Sequence, residues 1–99
     1  MKGKLVRDRI PEIIKESGAT PNIRILNEAE CDVELDKKLD EEVREYLASG
    51  ELEELADILE VISSIAEKKN SSMQEIDEIR RKKLIERGGF KLRIFLIQE

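Results

Sequence analysis

The amino-acid sequence predicts a mainly α fold, an antiparallel helical hairpin bundle with a small two-stranded β ladder near residues 23–26 and 91–97. Two observations predict the helices. Apolar residues recur every three or four positions through the middle of the chain, as on one side of a helix. Residues that commonly begin or end helices interrupt this pattern. No linker or repeat divides residues 1–99, so we expect a single domain.

The first part of the chain predicts a short helix and then a short strand. The helix is expected over residues 9–17, because Pro11 is tolerated in a first helical turn and Gly18 favours a helix end. Residues 23–26, Ile-Arg-Ile-Leu, are rich in branched aliphatic side chains and follow a Pro-Asn turn signal. We therefore interpret them as a strand.

The middle of the chain predicts two long helices. Asn27 and Glu30 have the spacing of a capping box, which indicates a helix that extends to residue 48 or 49. Gly50 favours a stop there, and a second helix is expected over residues 51–69. The first helix carries one apolar ladder, formed by Cys31, Leu35, Leu39, Val43 and Tyr46 or Leu47.

The second long helix is apolar on more than one side. One stripe contains Leu52, Leu55, Leu59, Ile62 and Ala66, and the other contains Ile58, Val61 and Ile65. A single neighbouring helix could not cover both stripes. We therefore expect this helix to be central, or to be shared between copies in a homodimer or homotetramer.

The end of the chain predicts a last helix and a strand. Ser72 and Glu75 again have capping-box spacing, and the helix is expected to reach Arg87, where Gly88 and Gly89 end it. Residues 90–98 then form an apolar, strand-like run. Residues 23–26 are the most economical partner for its backbone hydrogen-bonding groups, which gives the predicted ladder.

The charge of the chain is unevenly distributed. The net charge is −5, yet residues 28–60 hold 14 acidic side chains against three basic ones, while both ends of the chain are basic. A general binder of nucleic-acid polymers is expected to be basic and to offer stacking aromatics, whereas only 3% of residues here are aromatic. The pattern favours a smaller anion, held by basic groups and by a metal over the acidic middle.

Several features predict a reduced, cytoplasmic protein without membrane association. Cys31 is the only cysteine, so no intramolecular disulfide can form. No apolar run approaches the roughly 20 residues that a membrane span needs, and no signal peptide opens the sequence.

Two acidic couplets are the clearest candidates for a functional site. Glu42 and Glu45 lie three residues apart, as do Glu54 and Asp57, so each pair shares one side of a helix. Folding the two helices antiparallel would bring Glu45 level with Glu54 and Glu42 level with Asp57, with Glu41 beside them. Hard divalent cations such as Mg²⁺, or alternatively Mn²⁺, bind such oxygen ligands. The alternative is a solvated acidic surface, which a chain with 23 acidic residues forms readily.

The same five acids resemble a known metal-binding signature. The pattern Glu-Glu-x-x-Glu followed by Glu-x-x-Asp is similar to that of the all-α nucleotide pyrophosphohydrolases, the MazG-like and phosphoribosyl-ATP pyrophosphohydrolase-like superfamily. The segments KLVRDRIPEII and ERGGFKLRIFL resemble the terminal motifs of a MazG-like subgroup, so the resemblance covers nearly the whole chain. One departure is that only eight residues separate Glu45 from Glu54, where the family usually has a longer insert.

The resemblance implies an enzyme that hydrolyses a nucleoside triphosphate between its α and β phosphates, releasing pyrophosphate. Carboxylates would hold Mg²⁺, which lowers the pKa of a bound water, and a further carboxylate could orient that water or take its proton. The metal ligands implied here are Glu42, Glu45, Glu54 and Asp57. The catalytic carboxylates are expected among Glu41, Glu42 and Glu45.

Basic side chains near both ends are candidates for binding the substrate phosphates, since Arg and Lys both bind phosphate well. They are Lys4, Arg7, Arg9, Lys83 and Arg87. Alternatively, they could pair with the acidic middle of the chain.

Several substrates remain possible: phosphoribosyl-ATP, a canonical or damaged NTP, and a dNTP. A non-catalytic protein that binds nucleotide or metal to regulate a partner, and a helical assembly module, are the other functions considered.

Overall fold

The computed structural model describes residues 3–98, and this part of the chain folds into four helices. They are α1 (Ile10–Glu16), α2 (Glu28–Ser49), α3 (Leu52–Lys68) and α4 (Met73–Arg87). The prediction of a mainly α fold is therefore confirmed. No helix among these residues combines the length and the apolar character needed to cross a membrane.

Local capping interactions explain where the long helices begin and end. The Asn27 side chain accepts a hydrogen bond from the Glu30 backbone N–H at 2.8 Å, and the Glu30 carboxylate accepts one from the Asn27 N–H at 3.2 Å. This is the predicted capping box. Ser72 caps α4 through the Glu75 N–H. Gly50 ends α2 with a φ of 68°, a left-handed conformation that glycine adopts without steric cost.

The packing is built on the hairpin of α2 and α3. These two helices contact each other along their lengths, whereas α4 contacts α3 and not α2. The core of the described chain is small, because only Leu35, Val61 and Ala66 among its apolar residues are buried. Much of the apolar surface of α3 therefore stays accessible, including Leu52 and Leu59.

The predicted β ladder is wrong, since no strand occurs within residues 3–98. Two local interactions account for this. Arg24 forms a two-pronged contact with Glu30, with nitrogen–oxygen distances of 3.1 and 2.8 Å, which ties residues 23–26 to the start of α2. In the other segment, the Arg93 N–H donates to the Phe90 carbonyl, and Arg93 has a φ of 57°. This turn interrupts the extended run over residues 91–97.

Candidate metal and anion site

The hairpin brings the two acidic couplets together. Oxygen atoms of Glu42, Glu54 and Asp57 all lie within 4.8 Å of one another, and so do oxygens of Glu41, Glu42 and Glu45. Glu42 belongs to both groups and therefore joins the carboxylates of α2 to those of α3. We call these five residues the acidic cluster. Its geometry follows from the short connection at Gly50, which places the end of α2 beside the start of α3.

Glu42 differs from the other members of the acidic cluster in its burial. Only 6% of its surface is exposed. One carboxylate oxygen, Oε1, lies 3.4 Å from the Lys38 ammonium group, while Oε2 is buried and has no hydrogen-bond partner within the described chain. Burial raises the pKa of Glu42, and the neighbouring Glu45 carboxylate raises it further, against the opposing effect of Lys38.

Two of the predicted anion-binding residues contact the acidic cluster directly. The Arg7 guanidinium lies 2.7 Å from the Asp57 carboxylate, and the Lys4 ammonium lies 3.3 Å from Glu41. Burial acts to raise the pKa of Glu41, but hydrogen bonds and charge from Lys4 and Lys38 outweigh it and the pKa is lowered. Both contacts link the N-terminal segment to the hairpin across more than 35 residues of chain.

The N-terminal segment also forms one wall of a cavity. Residues 5–9 line it on one side, and side chains of α2 and α3 line the other, with Glu42 and Asp57 among them. The cavity has a volume of about 610 Å³. This lies within the range of roughly 300–1,000 Å³ that is usual for small-ligand sites. The buried Glu42 and the Arg7–Asp57 pair thus share one concave surface.

The remaining predicted anion-binding residues form no ion pair with the acidic cluster among the described residues. Arg9 pairs with Glu12 on α1 at 3.2 Å, although its position still borders the cavity. Lys83 and Arg87 are exposed on α4, and neither lines the cavity. Within residues 3–98, neither Lys83 nor Arg87 forms an ion pair with a member of the acidic cluster.

The sequence prediction missed Lys38, which is the most closely involved basic residue. Its side chain is only 16% exposed and contacts both Glu41, at 3.3 Å, and Glu42. The signal was present in the sequence, because positions three and four residues apart face each other on a helix. Lys38 holds two adjacent carboxylates of the cluster in place from within α2.

The donor set fits a hard divalent cation. It consists of carboxylate oxygens alone, which Mg²⁺ and Mn²⁺ accept. A buried carboxylate oxygen without a partner is energetically unfavourable in an isolated chain, and a bound cation would satisfy it. Glu45 and Glu54 also have no basic partner within residues 3–98. Glu42, Glu45, Glu54 and Asp57 are therefore the residues that would hold the ion.

Comparison with known proteins adds a sequence relative without a known activity. Part of the chain is 59% identical over 46 residues to an uncharacterized protein of Mycolicibacterium smegmatis. The match covers 46% of this chain, and the chain spans about half of the length of that relative, 47%. No family model matches the sequence. No solved structure matches it either.

Proposed function

We propose that this protein is a metal-dependent nucleotide pyrophosphohydrolase that cleaves a nucleoside triphosphate, or phosphoribosyl-ATP, between the α and β phosphates. The observation that carries the proposal is Glu42, which has a buried oxygen without a partner and a carboxylate oxygen within 4.8 Å of those of Glu54 and Asp57. The ion pair with Lys38 involves Oε1 and leaves the other oxygen without a partner. The resemblance of the acidic motif and of both terminal segments to the pyrophosphohydrolase superfamily supports the same function.

Within this proposal, the protein side chains have separable roles. When bound, Mg²⁺ or Mn²⁺ would neutralise phosphate charge and make water a better nucleophile at neutral pH. Glu41 is held by Lys4 and Lys38, and its lowered pKa keeps it ionised and able to orient a water molecule, while making it a weaker proton acceptor. Arg7 holds Asp57 in the isolated chain, and its guanidinium is placed to contact a phosphate that enters the cavity.

One set of contacts favours a second candidate, a metal- or nucleotide-binding regulator or an assembly module without catalysis. Arg7 already neutralises Asp57, and Lys4 and Lys38 already neutralise Glu41. The acidic cluster is thus partly compensated by the chain itself. Turnover separates the two candidates, because a regulator would bind metal and nucleotide without releasing pyrophosphate.

The test is a pyrophosphate-release screen over nucleotides with Mg²⁺ and Mn²⁺, followed by product analysis with phosphorus NMR. We expect a nucleoside monophosphate and intact pyrophosphate as products. Glu54→Gln should remove most of the activity, while Glu53→Gln should retain it, because Glu53 is exposed on the same helix and lies outside the acidic cluster. Orthophosphate with a nucleoside diphosphate as primary products would refute the proposed cleavage, and equal activity of the two variants would refute the proposed site.

A further inference from the structure

The C-terminal tail, residues 90–97, exposes an unusual amount of apolar surface. Phe90 is 97% exposed and Phe95 is 89% exposed. Four aliphatic side chains between and after them are at least 75% exposed, namely Leu92, Ile94, Leu96 and Ile97. A contiguous apolar surface of this kind marks an interaction site in a stable protein, since isolated chains rarely leave such surface in water.

The tail is not placed to fold back onto its own core. It follows α4, which has no buried residue and contacts α3 but not α2. Every residue from Glu78 to Gln98 is exposed. The chain extends 53 Å in its longest dimension and has a radius of gyration of 17.6 Å, against about 13 Å for a compact domain of this length. Helix α4 and the tail therefore form a projecting arm.

The accessible area shows how much surface a partner would need to cover. The chain exposes 9234 Å², whereas a compact monomer of its mass would expose about 5,800 Å². Obligate homodimer interfaces bury about 2,000–5,000 Å² counted over both partners, or about 1,000–2,500 Å² per copy. The excess of roughly 3,400 Å² per chain is therefore more than such an interface needs. A second copy of the chain, which carries the same excess, could cover much of this surface.

An acceptor for the tail is present on the hairpin. Leu52, Leu55 and Leu59 lie on one side of α3 at the start of the helix, and they are 79%, 39% and 52% exposed. The Leu52–Leu59 stripe spans about 10 Å along α3. An eight-residue segment is up to about 26 Å long when extended, so the tail is long enough even with the turn at Arg93. The tail can therefore cover this stripe completely.

Charge favours the same pairing. Two cations, Lys91 and Arg93, alternate with the apolar side chains of the tail. Exposed acids adjoin the leucine stripe in sequence: Glu51, Glu53 and Glu60. A tail docked on α3 would thus meet apolar side chains flanked by opposite charges, whereas docking on the basic surface of α4 would meet like charges.

We propose that the C-terminal tail of one copy packs on the Leu52–Leu55–Leu59 stripe of α3 in a second copy, and that Lys91 and Arg93 of the tail thereby lie beside the acidic hairpin of that copy. This inference does not depend on the proposed catalysis. It explains why an Ile- and Leu-rich chain buries so few apolar side chains by itself. It would also add two cations, Lys91 and Arg93, to those that the chain itself places at the acidic cluster.

Light scattering on the full chain tests the association. The wild-type protein is expected to be a dimer or a larger oligomer at micromolar concentration. Phe95→Asp in the tail and Leu52→Asp on α3 should each weaken self-association by roughly 100-fold, since each places a charge in an apolar contact. Ile25→Asp is the matched control, because Ile25 is 86% exposed but belongs to neither surface; its mass should equal that of the wild type. Circular dichroism verifies that all variants remain helical.

A crosslinking experiment tests the pairing itself. Replacing Cys31, the single cysteine, by Ala allows one new cysteine to be placed at position 95 in one variant and at position 52 in another. A mixture of the two should form the mixed disulfide in large excess over either homodimer. A monomeric wild type, a statistical 1:2:1 distribution of the three disulfides, or a monomer that binds anionic phospholipid vesicles through its tail would each overturn the proposal.

Discussion

Replacing Glu42 by Gln should stabilise the metal-free protein and remove its response to divalent cations. The substitution preserves the shape of the side chain but removes the charge from the one buried member of the acidic cluster. Its Oε2 has no hydrogen-bond partner, and the carboxylates of Glu45, Glu54 and Asp57 lie close by. Lys38 loses one ionic contact in the variant but keeps the other, with Glu41.

The magnitude follows from the cost of leaving a buried polar group without a partner, about 1–3 kcal/mol. The amide recovers only part of this, so we expect a gain of about 1 kcal/mol, or roughly 4–8 °C in Tm for a domain of this size. In the wild type, a specific cation at 100 times its Kd should add about 2.7 kcal/mol. The variant should lose most of that increase, because its central ligand is neutral.

The raised pKa of Glu42 also determines the direction in which the stability of the protein changes with pH. Because the pKa of Glu42 in the folded protein is raised above its ordinary value of 4.5, the folded state retains this proton to higher pH than the unfolded state does. The wild type therefore loses stability as pH rises from the pKa of Glu42 in the unfolded state to its higher pKa in the folded state. The advantage of Glu42→Gln should be largest at neutral pH and should disappear below about pH 4, where the carboxyl is protonated in both states.

Thermal unfolding followed by circular dichroism, with EDTA, Mg²⁺ or Mn²⁺, measures both effects. Glu53→Gln is the control for removing one acidic charge from the hairpin, and its Tm should change by little in any of these conditions. A lower Tm for metal-free Glu42→Gln at neutral pH would refute the argument about burial. An unchanged response to Mn²⁺ would refute the assignment of Glu42 as a ligand.

Three further predictions concern single contacts. Arg7→Gln should increase the affinity for Mn²⁺ several-fold by freeing Asp57, and should weaken the binding of pyrophosphate. Arg80→Gln is the control, because Arg80 pairs with Asp77 on α4, and it should change neither affinity. Calorimetric titration measures both, and equal effects of the two variants would contradict the role of Arg7. Asn27→Ala removes the capping box and should cost about 1 kcal/mol in the free energy of unfolding, measured with urea. Leu35→Ala, at a position that is 7% exposed, should cost about 2–5 kcal/mol, and a loss below 1 kcal/mol would show that the hairpin core is not where the structure places it.

Local signals in the sequence were sufficient to predict the helices. The Asn27–Glu30 capping box and the glycine at position 50 act over three or four residues, so their effect can be recognised without knowledge of distant contacts. The close approach of the acidic couplets could also be anticipated. With so short a connection, two antiparallel helices have few possible registers, and one of them places Glu42 near Asp57.

The β ladder shows where local reasoning failed. Both segments have the composition of strands, but a ladder requires two distant segments to meet, and their composition does not determine whether they do. Arg24 forms an ion pair with Glu30, and the turn at Arg93 interrupts residues 91–97. The sequence analysis correctly identified residues 90–97 as apolar, but the predicted pairing with residues 23–26 is wrong.

The sequence by itself determined the helical pattern, the charge distribution and the identity of the clustered carboxylates, because spacing along a helix specifies which side chains share a side. Only the tertiary structure decided which carboxylate is buried. Glu42 is enclosed while Glu45, on the same helix, stays exposed, and the difference arises from how α3 and residues 5–9 lie against α2. The pairing of Arg7 with Asp57 was likewise decided by the fold, since a contact across 50 residues depends on the path of the whole chain rather than on any local preference.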